Sequence, residues 1–373
     1  MRMDSKRNIY PEMICLVLSE IKGNLPEENC RDAPCGPHLK AHKTSTQATK
    51  SKTNQQANKT PQQQNQPGAK RPCWQSQKSV SLSDNRHTMK KILITGASGF
   101  VGGRIAEALK DSQIIIAPRH KDMDIISEVE TERFIAESNP DIILHLAAIS
   151  NTGYCEEHPE ESYLVNVTGV ENLAKAAARH KAKFVFFSSD QIYNGNHEIG
   201  LLNEDIPVSP ENHYGRHKLL AEKRALNICS DTVALRATWM YDIERPGMHT
   251  HLNFIRNIKT AIETGTPLKF AKREFRGITW IEDVVRNIQP TFALPGGVYN
   301  FGAENTMNTY ETACEYVRML GHDPNKLIIA DNDRFPEHIR NISISMEKAH
   351  KASNGRIRFR NTLDGLKKFS ETL

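Results

Sequence analysis

The chain has 373 residues, 38% of them hydrophobic and 25% charged, which is room for one large or two ordinary globular domains. Its net charge of +5 is unevenly placed: residues 1–88 hold 14 basic and 7 acidic side chains, and the rest of the chain holds 35 and 37. The part beyond 88 is slightly acidic, which excludes an electrostatic case for nucleic-acid binding there.

Taken in order, the leader opens with one apolar run, MICLVL at 13–18. It is too short for a signal-peptide core or a membrane span. Six acids within residues 1–35 argue against a mitochondrial presequence. Residues 36–88 are mostly Gln, Asn, Lys, Thr and Pro. They bury too little apolar surface to offset the entropy of ordering, so a disordered basic leader is expected over 1–88. The preferred reading starts translation at Met89, and the alternative is a regulatory or tethering tail. The seven cysteines, Cys15, Cys30, Cys35, Cys73, Cys155, Cys229 and Cys314, are odd in number, scattered and free of CxxC spacing. That is no disulfide framework, and the cytoplasm is the expected compartment.

From Met89 the pattern changes. Short apolar runs at 91–95, 113–117, 141–147, 183–189 and 231–236 alternate with stretches of helical period at 100–111, 127–138, 160–180 and 213–230. Runs apolar on both sides, separated by helices, predict a parallel sheet covered on both faces: a Rossmann-type doubly wound α/β fold over 89–240. Helices are expected at 250–264, 281–293, 309–320 and 360–371, with short strands PLKFA, VYNF and KLIIA between them. Residues 241–373 read as mainly a smaller α/β substrate-binding lobe.

The stretch ILITGASGFVGGRIAEAL is strand, turn and helix, and Gly96, Gly99 and Gly102 follow TGxxGxxG. A tight turn, close backbone approach to a pyrophosphate and close helix–sheet packing all require glycine, and the free N–H groups of the helix receive the phosphate. The end of the second strand reads APRHKDMD, so its first polar residues are Arg119, His120 and Lys121. Cations there suit the extra phosphate of NADP(H), which is favoured over NAD(H). The bland alternative is a solvated cationic loop with Asp122 or Asp124 serving the adenosine end.

Two further stretches carry chemistry. FVFFSSDQIYNG ends a strand on Ser188, Ser189 and Asp190, and HYGRHKLLAEK places Tyr214 and Lys218 on one helix face. An ammonium beside a phenol is expected to lower the phenol's pKa, and a serine can hydrogen-bond a substrate carbonyl. Hydride transfer with tyrosine as the acid/base is the chemistry this set allows. No His, Cys, Asp and Glu cluster has metal-site spacing, and a loosely held Mg2+ would leave no signature. Trp280 reads as a core aromatic and His145 as a buried, hydrogen-bonded histidine.

The order TGxxGxxG, HLAAIS, SSDQIYNG and YGRHK resembles the extended short-chain dehydrogenase/reductase family, and within it the dTDP-4-dehydrorhamnose reductase group. NEDIPVSPENHYGRHKLLAEK, LRATWMY and RGITWIEDVV extend the resemblance over essentially all of 89–373. It implies Ser189, Tyr214 and Lys218 as catalytic residues, with Lys218 also holding the nicotinamide ribose. It implies Gly96, Ser98, Gly99, Phe100, Val101 and Gly102 around the pyrophosphate, Asp124 and Ile125 near adenine, and Ala147, Ala148 and Ile149 under the cofactor ribose. Asn166 would brace the site, and Gln191, Trp239, Arg276 and Thr279 would face the substrate. For Arg276 a solvated cation is the competing reading. Ser189 stands where the group usually has threonine, Gln191 where it often has an aromatic residue, and His145 where it often has asparagine.

The implied activity is NADPH-dependent reduction of a nucleotide-linked 4-keto-6-deoxy sugar by a protein with no membrane or nucleic-acid partner; a homodimer is compatible. A sugar-nucleotide epimerase of the same family is one alternative. Dehydratases of the family need an extra acid/base, commonly in a TDE-like triplet, and SDQ has Gln191 in place of its last carboxylate. The other alternative is a non-catalytic NADP-binding protein similar to the regulatory subunit of methionine adenosyltransferase.

Overall fold

A computed structural model describes residues 89–244 and 254–373. The leader, and the first residues of the helix expected at 250–264, lie outside the described residues. The chain begins with β1 (Lys91–Thr95), α1 (Phe100–Leu109), β2 (Ile114–Ile116), α2 (Glu128–Ser138) and β3 (Ile142–His145). Ser127 caps α2 by accepting from the Glu130 amide, and Asn139 ends it in the left-handed region. The stretch 160–180, expected as one helix, is helical throughout and carries one widened turn. Helices α3 (Thr152–Glu157) and α4 (Pro159–Tyr163) lead into a widened helical turn at Leu164–Thr168, and α5 (Gly169–His180) follows. Then come β4 (Lys183–Ser189), a 3-10 turn at Asp190–Tyr193, α6 (His213–Ile228), β5 (Val233–Ala237) and β6 (Trp239–Tyr241).

The remaining elements are α7 (Phe254–Thr264), β7 (Leu268–Ala271), β8 (Glu274–Arg276), β9 (Ile278–Trp280), α8 (Ile281–Thr291) and β10 (Gly297–Phe301). They continue through α9 (Thr309–Met319), α10 (Pro324–Leu327), β11 (Ile328–Asp331), β12 (Arg340–Ile342), α11 (Glu347–Ala352) and α12 (Thr362–Ser370). Six strands form one sheet in the order β10-β5-β4-β3-β1-β2. Every pairing in it is parallel. The chain moves outward from β1 to β2 and then returns to β3 on the other side, which opens a crevice at the carboxyl ends of β1 and β3. The fold is Rossmann-type, as expected.

VYNF was expected in the smaller lobe, but β10 completes the large sheet beside β5. Tyr299 and Phe301 are buried, so this short run belongs in a doubly covered sheet. The later strands make no second large sheet. They form two-stranded parallel ladders, β6 with β9, β7 with β11 and β8 with β12. Two cores sandwich the main sheet. Leu93, Ile143, Phe184 and Phe186 pack with Leu173 of α5 and Ala221 of α6. Ile92, Ile94, Leu144, Val185 and Phe187 face the opposite core, with Ile105 of α1 and Val284 of α8.

One buried ion pair ties α6 to β5. Arg236 donates from Nε to Glu222 Oε1 at 3.0 Å and from Nη2 to Oε2 at 2.8 Å. Its Nη1 donates to the Tyr193 hydroxyl at 2.8 Å, which donates to Asn300 Oδ1 at 2.9 Å. Removing one partner strands a charge in a dry interior. Glu222→Gln is expected to lower the unfolding free energy by about 3 kcal/mol in urea denaturation. A loss under about 1 kcal/mol would show that the pair does not hold this seam.

Candidate active site

The glycine turn is built by contact. Gly96 has φ +70, and a Cβ there would lie 2.7 Å from the Ala147 nitrogen. A Cβ on Gly102 would lie 2.2 Å from the Gly96 carbonyl oxygen, so α1 can close against the turn only with glycine at that position. Gly99 is the N-cap of α1, with no side-chain cap and no acid in the first turn. The uncapped, positive end of the helix suits a phosphate. Ser98 is exposed beside it, Phe100 is buried in the core, and Val101 is half-buried.

The floor of the crevice follows β3. Ala147, Ala148 and Ile149 are half-buried. Asn166, in the widened turn, clasps the Ile149 backbone: its Oδ1 accepts from Ile149 N at 3.1 Å and its Nδ2 donates to Ile149 O at 2.9 Å. Nδ2 also donates to Ser162 Oγ at 3.1 Å. Ile125 is half-buried in the loop that follows β2. In that loop Arg119 folds onto Asp122, with Nε donating at 3.0 Å, and Asp124 Oδ1 accepts from Ile126 N at 3.0 Å. Both are engaged within their own turn, and Arg119 is exposed.

Ser189, Tyr214 and Lys218 converge at the end of β4. Asn212 caps α6 by accepting from Gly215 N at 2.7 Å, and a Cβ on Gly215 would lie 2.5 Å from the Gln191 carbonyl. The glycine after Tyr214 therefore lets α6 sit directly on the turn that follows Ser189. Lys218 Nζ donates to the Phe187 carbonyl at 2.9 Å and lies 5.8 Å from the Tyr214 ring centre. Burial pushes the Tyr214 phenol well above its usual value, and its hydrogen bond with Ser189 only partly opposes this. The expected lowering by Lys218 does not appear, because desolvation of a phenolate dominates at this depth. Burial also brings Lys218 down to about 8, against the pull of Glu222 and Cys155.

Beyond Ser189 lies a set of buried charges, only partly foreseen. Arg276 Nη2 reaches Asp190 Oδ2 at 3.5 Å, and its guanidinium stacks on Trp239 at 4.8 Å. Arg340 bonds Glu274 through Nη1 and donates from Nη2 to Gln191 Oε1 at 2.7 Å. Asn212 Nδ2 donates to the same Gln191 oxygen at 3.2 Å. Burial raises the Asp190 carboxyl in spite of Arg276 and Arg340. Burial acts the same way on Glu274, but Arg276, Arg340 and Arg334 together outweigh it and hold that carboxyl below its usual value. Thr279 is fully buried, and its hydroxyl bonds Thr238 and accepts from Ala303 N at 2.7 Å. It joins β9 to the end of β5 instead of facing the cleft. Asp190, Glu274 and Arg340 were missed as site residues. The only signal was the acid inside SSD, since Glu274 and Arg340 come from strands far along the chain. Among the described residues no group of acids, histidines and cysteines is arranged to hold a metal. No helix among them is long and apolar enough to cross a membrane.

A doubly wound sheet, a glycine turn at its switch point and a Ser–Tyr–Lys set beside it define an extended short-chain dehydrogenase/reductase. Residues 89–372 match the family described as the RmlD substrate binding domain, and the chain belongs to that family. It is 26% identical over 250 residues to the dTDP-4-dehydrorhamnose reductase of Mycolicibacterium smegmatis, spanning 66% of this chain and 74% of that one. It is 28% identical over 243 residues to methionine adenosyltransferase 2 subunit beta of Xenopus laevis, spanning 60% and 70%. The dTDP-4-dehydrorhamnose reductase structure from Bacillus anthracis, in complex with NADP, shares the fold with TM-score 0.65 at 21% identity, covering 77% of this chain and all of that one.

The position of Lys218 makes a stability prediction. Below about 8 the lysine is charged both folded and unfolded; between about 8 and its ordinary 10.5 the unfolded chain holds more protons. Stability from this group therefore rises with pH across that window. Relative to Lys218→Met, the wild type is expected to gain stability between pH 8 and 10.5 in urea titrations. A pH-independent difference would contradict the burial of this charge.

Proposed function

We propose that this chain is a nicotinamide-dependent oxidoreductase that reduces the 4-keto group of a nucleotide-linked 6-deoxy sugar, with NADP(H) favoured over NAD(H). The observation that carries the reading is the Tyr214–Ser189 pair, seated with Lys218 at the end of β4 next to the switch-point crevice. The glycine turn fits a dinucleotide: the space where Cβ atoms would stand at 96 and 102 is taken by backbone, and α1 begins with no side-chain cap and no acid to oppose a phosphate. Gly96, Ser98, Gly99, Phe100, Val101 and Gly102 would hold the pyrophosphate. Ile149, braced by Asn166, would lie under the ribose, with Ala147 and Ala148 beside it, and Lys218 would bond the ribose. Asp124 and Ile125 would border the adenine, and Arg119, once released from Asp122, would meet a 2′-phosphate. When bound, the nicotinamide supplies the hydride. The complex of the Bacillus anthracis relative with NADP supports this choice of cofactor.

The residues of the chain supply the rest. A Tyr214 phenol kept protonated by burial can donate to a substrate oxygen as negative charge develops on it. Ser189 orients that oxygen, and the Lys218 charge stabilises the phenolate left behind. Trp239, Arg276 and Gln191, with Asp190, would line the substrate side with an aromatic face and fixed donors and acceptors. The name of the M. smegmatis relative supports a dTDP-linked 4-keto sugar as substrate. Gln191 in place of a carboxylate argues against dehydration. A second reading, a non-catalytic NADP-binding subunit, draws on the methionine adenosyltransferase relative.

Purified protein given NADPH and a dTDP-4-keto-6-deoxy sugar is expected to consume NADPH, followed by nicotinamide absorbance. Tyr214→Phe is expected to lower that rate by about 10²- to 10⁴-fold with cofactor affinity retained. The rate is expected to fall as pH rises through about 8, where Lys218 loses its charge. Cofactor binding with no turnover of any 4-keto sugar would favour the regulatory reading, and equal rates for wild type and Tyr214→Phe would remove tyrosine from the chemistry.

A further inference from the structure

Behind the Tyr214–Ser189 pair lie polar groups that the reaction above does not use. His145, at the end of β3, is 1% exposed, and Ser188, next to the end of β4, is 4% exposed. Neither His145 Nε2 nor Ser188 Oγ has a hydrogen-bond partner among the described residues. Lys218 Nζ carries three protons, one of which goes to the Phe187 carbonyl.

The strand register brings these groups together. His145 is paired with Phe186 across β3 and β4. Ser188, two residues on, projects from the same face as Phe186. That face is the one covered by α5 and α6, where Phe184 and Phe186 pack with Leu173, Ala221 and Ala225. Lys218 descends onto it from α6, and its bond to Phe187 O sets the ammonium between Phe186 and Ser188 along the strand. Burial first, and then the Lys218 charge, bring the His145 imidazole down to about 3, so the ring is neutral.

Thr95 fixes the tautomer. Its hydroxyl oxygen accepts from the Ala147 amide at 3.3 Å and shares the Leu146 amide, at 3.2 Å, with the Thr95 carbonyl. Among the described residues the acceptor in reach of the hydroxyl proton is His145 Nδ1, 2.7 Å away, and the proton goes there. The ring proton of neutral His145 is on Nε2. Two donors, His145 Nε2 and Lys218 Nζ, thus share a buried region with a serine hydroxyl that can accept. Buried donors of this kind are satisfied by an ordered water when no protein group serves them.

We propose that His145, Ser188 and Lys218 hold one buried water, which accepts from His145 Nε2 and Lys218 Nζ and donates to Ser188 Oγ. His145 and Ser188 are thereby positioning residues that keep the Lys218 ammonium hydrated beneath Tyr214. Three hydrogen bonds are about the usual complement of an internal water. The other groups facing Lys218 do not replace it. Glu222 on α6 is engaged by Arg236. On α3 burial holds the Cys155 thiol up, and the Tyr214 phenol stays protonated at Ser189. The inference bears on the proposed reaction through Lys218, but its test needs no substrate.

Two measurements on the full chain decide it. A high-resolution crystal structure of the wild type is expected to show ordered density within hydrogen-bond reach of all three groups; a dry site or a direct His145–Ser188 bond overturns the proposal even where a variant fails to fold. Nuclear magnetic resonance titration of the Lys218 ammonium, on lysine-labelled protein without substrate, is the second. Ser188→Ala and His145→Phe are each expected to move the midpoint down by about one pH unit, and the double variant no further than either, because both act through one water. His145→Asn, which restores an N–H donor, is expected to bring the midpoint back towards the wild type. Unmoved midpoints or additive shifts overturn the proposal. Shifted midpoints in a protein that turns over no 4-keto sugar support the water site and count against the reductase reading alone.

Discussion

The seam between α6 and the end of β4 would carry the chemistry proposed for this molecule. It closes because Gly215 has no Cβ to strike the Gln191 carbonyl and because Lys218 satisfies the Phe187 carbonyl. The lysine contact falls just past the last pairing of β4 with β3, and the glycine contact in the turn that follows β4. Tyr214 is placed as a consequence: it lies one residue before the glycine and one helical turn before the lysine. Deeper along the same helix Glu222 locks onto Arg236 of β5, so the face that positions the phenol is also pinned to the next strand. Buried pairs of this kind add little net stability but penalise any alternative register heavily.

The site is organised by opposed demands on charge. The α1 end of the crevice offers backbone amides and no acid, whereas the far side of Ser189 collects two arginines and two carboxylates. Asp190 and Glu274 feel the same guanidiniums, yet they shift in opposite directions. The difference lies in geometry. Arg340 bonds Glu274 directly, while Arg276 reaches Asp190 only at 3.5 Å. Arg340 also fixes the Gln191 amide, so a residue two positions before Tyr193 is controlled by a strand that enters almost at the end of the chain.

Much of this was legible in the sequence, and the limits have physical causes. β1, α1, β4 and α6 were readable because each has a strong apolar period closed by glycine, serine or asparagine at the right place. The widening at Leu164–Thr168 was not: the apolar spacing of α4 and α5 is continuous through the widened turn, and only Asn166, turned towards Ile149, betrays it. The strand VYNF was assigned to the wrong layer because a four-residue apolar run carries no information about which sheet it joins. Glu274 and Arg340 lie on three-residue strands too short to show a period, and their meaning comes from pairing across β8 and β12. Thr279 was read as facing the cleft because motif position says nothing about which way a β9 side chain points; its hydroxyl is turned towards Thr238.

The same burial that hides these charges sets a direction for the chemistry. Desolvation raises the Tyr214 phenol and lowers Lys218, which pushes both groups towards their neutral forms. A neutral phenol is ready to give a proton to a reduced carbonyl oxygen, whereas oxidation of an alcohol needs the phenolate first. At that depth the phenolate is costly until a cation stands beside it. Lys218 stays largely protonated only below about 8, so near neutral pH it is available to meet the phenolate after the proton has left. Two groups whose environments displace them in opposite senses divide the work of acid and stabilising cation between them. On this reading the protein poises its tyrosine for proton donation, and bias towards reduction is a property of how deeply α6 is set against β4.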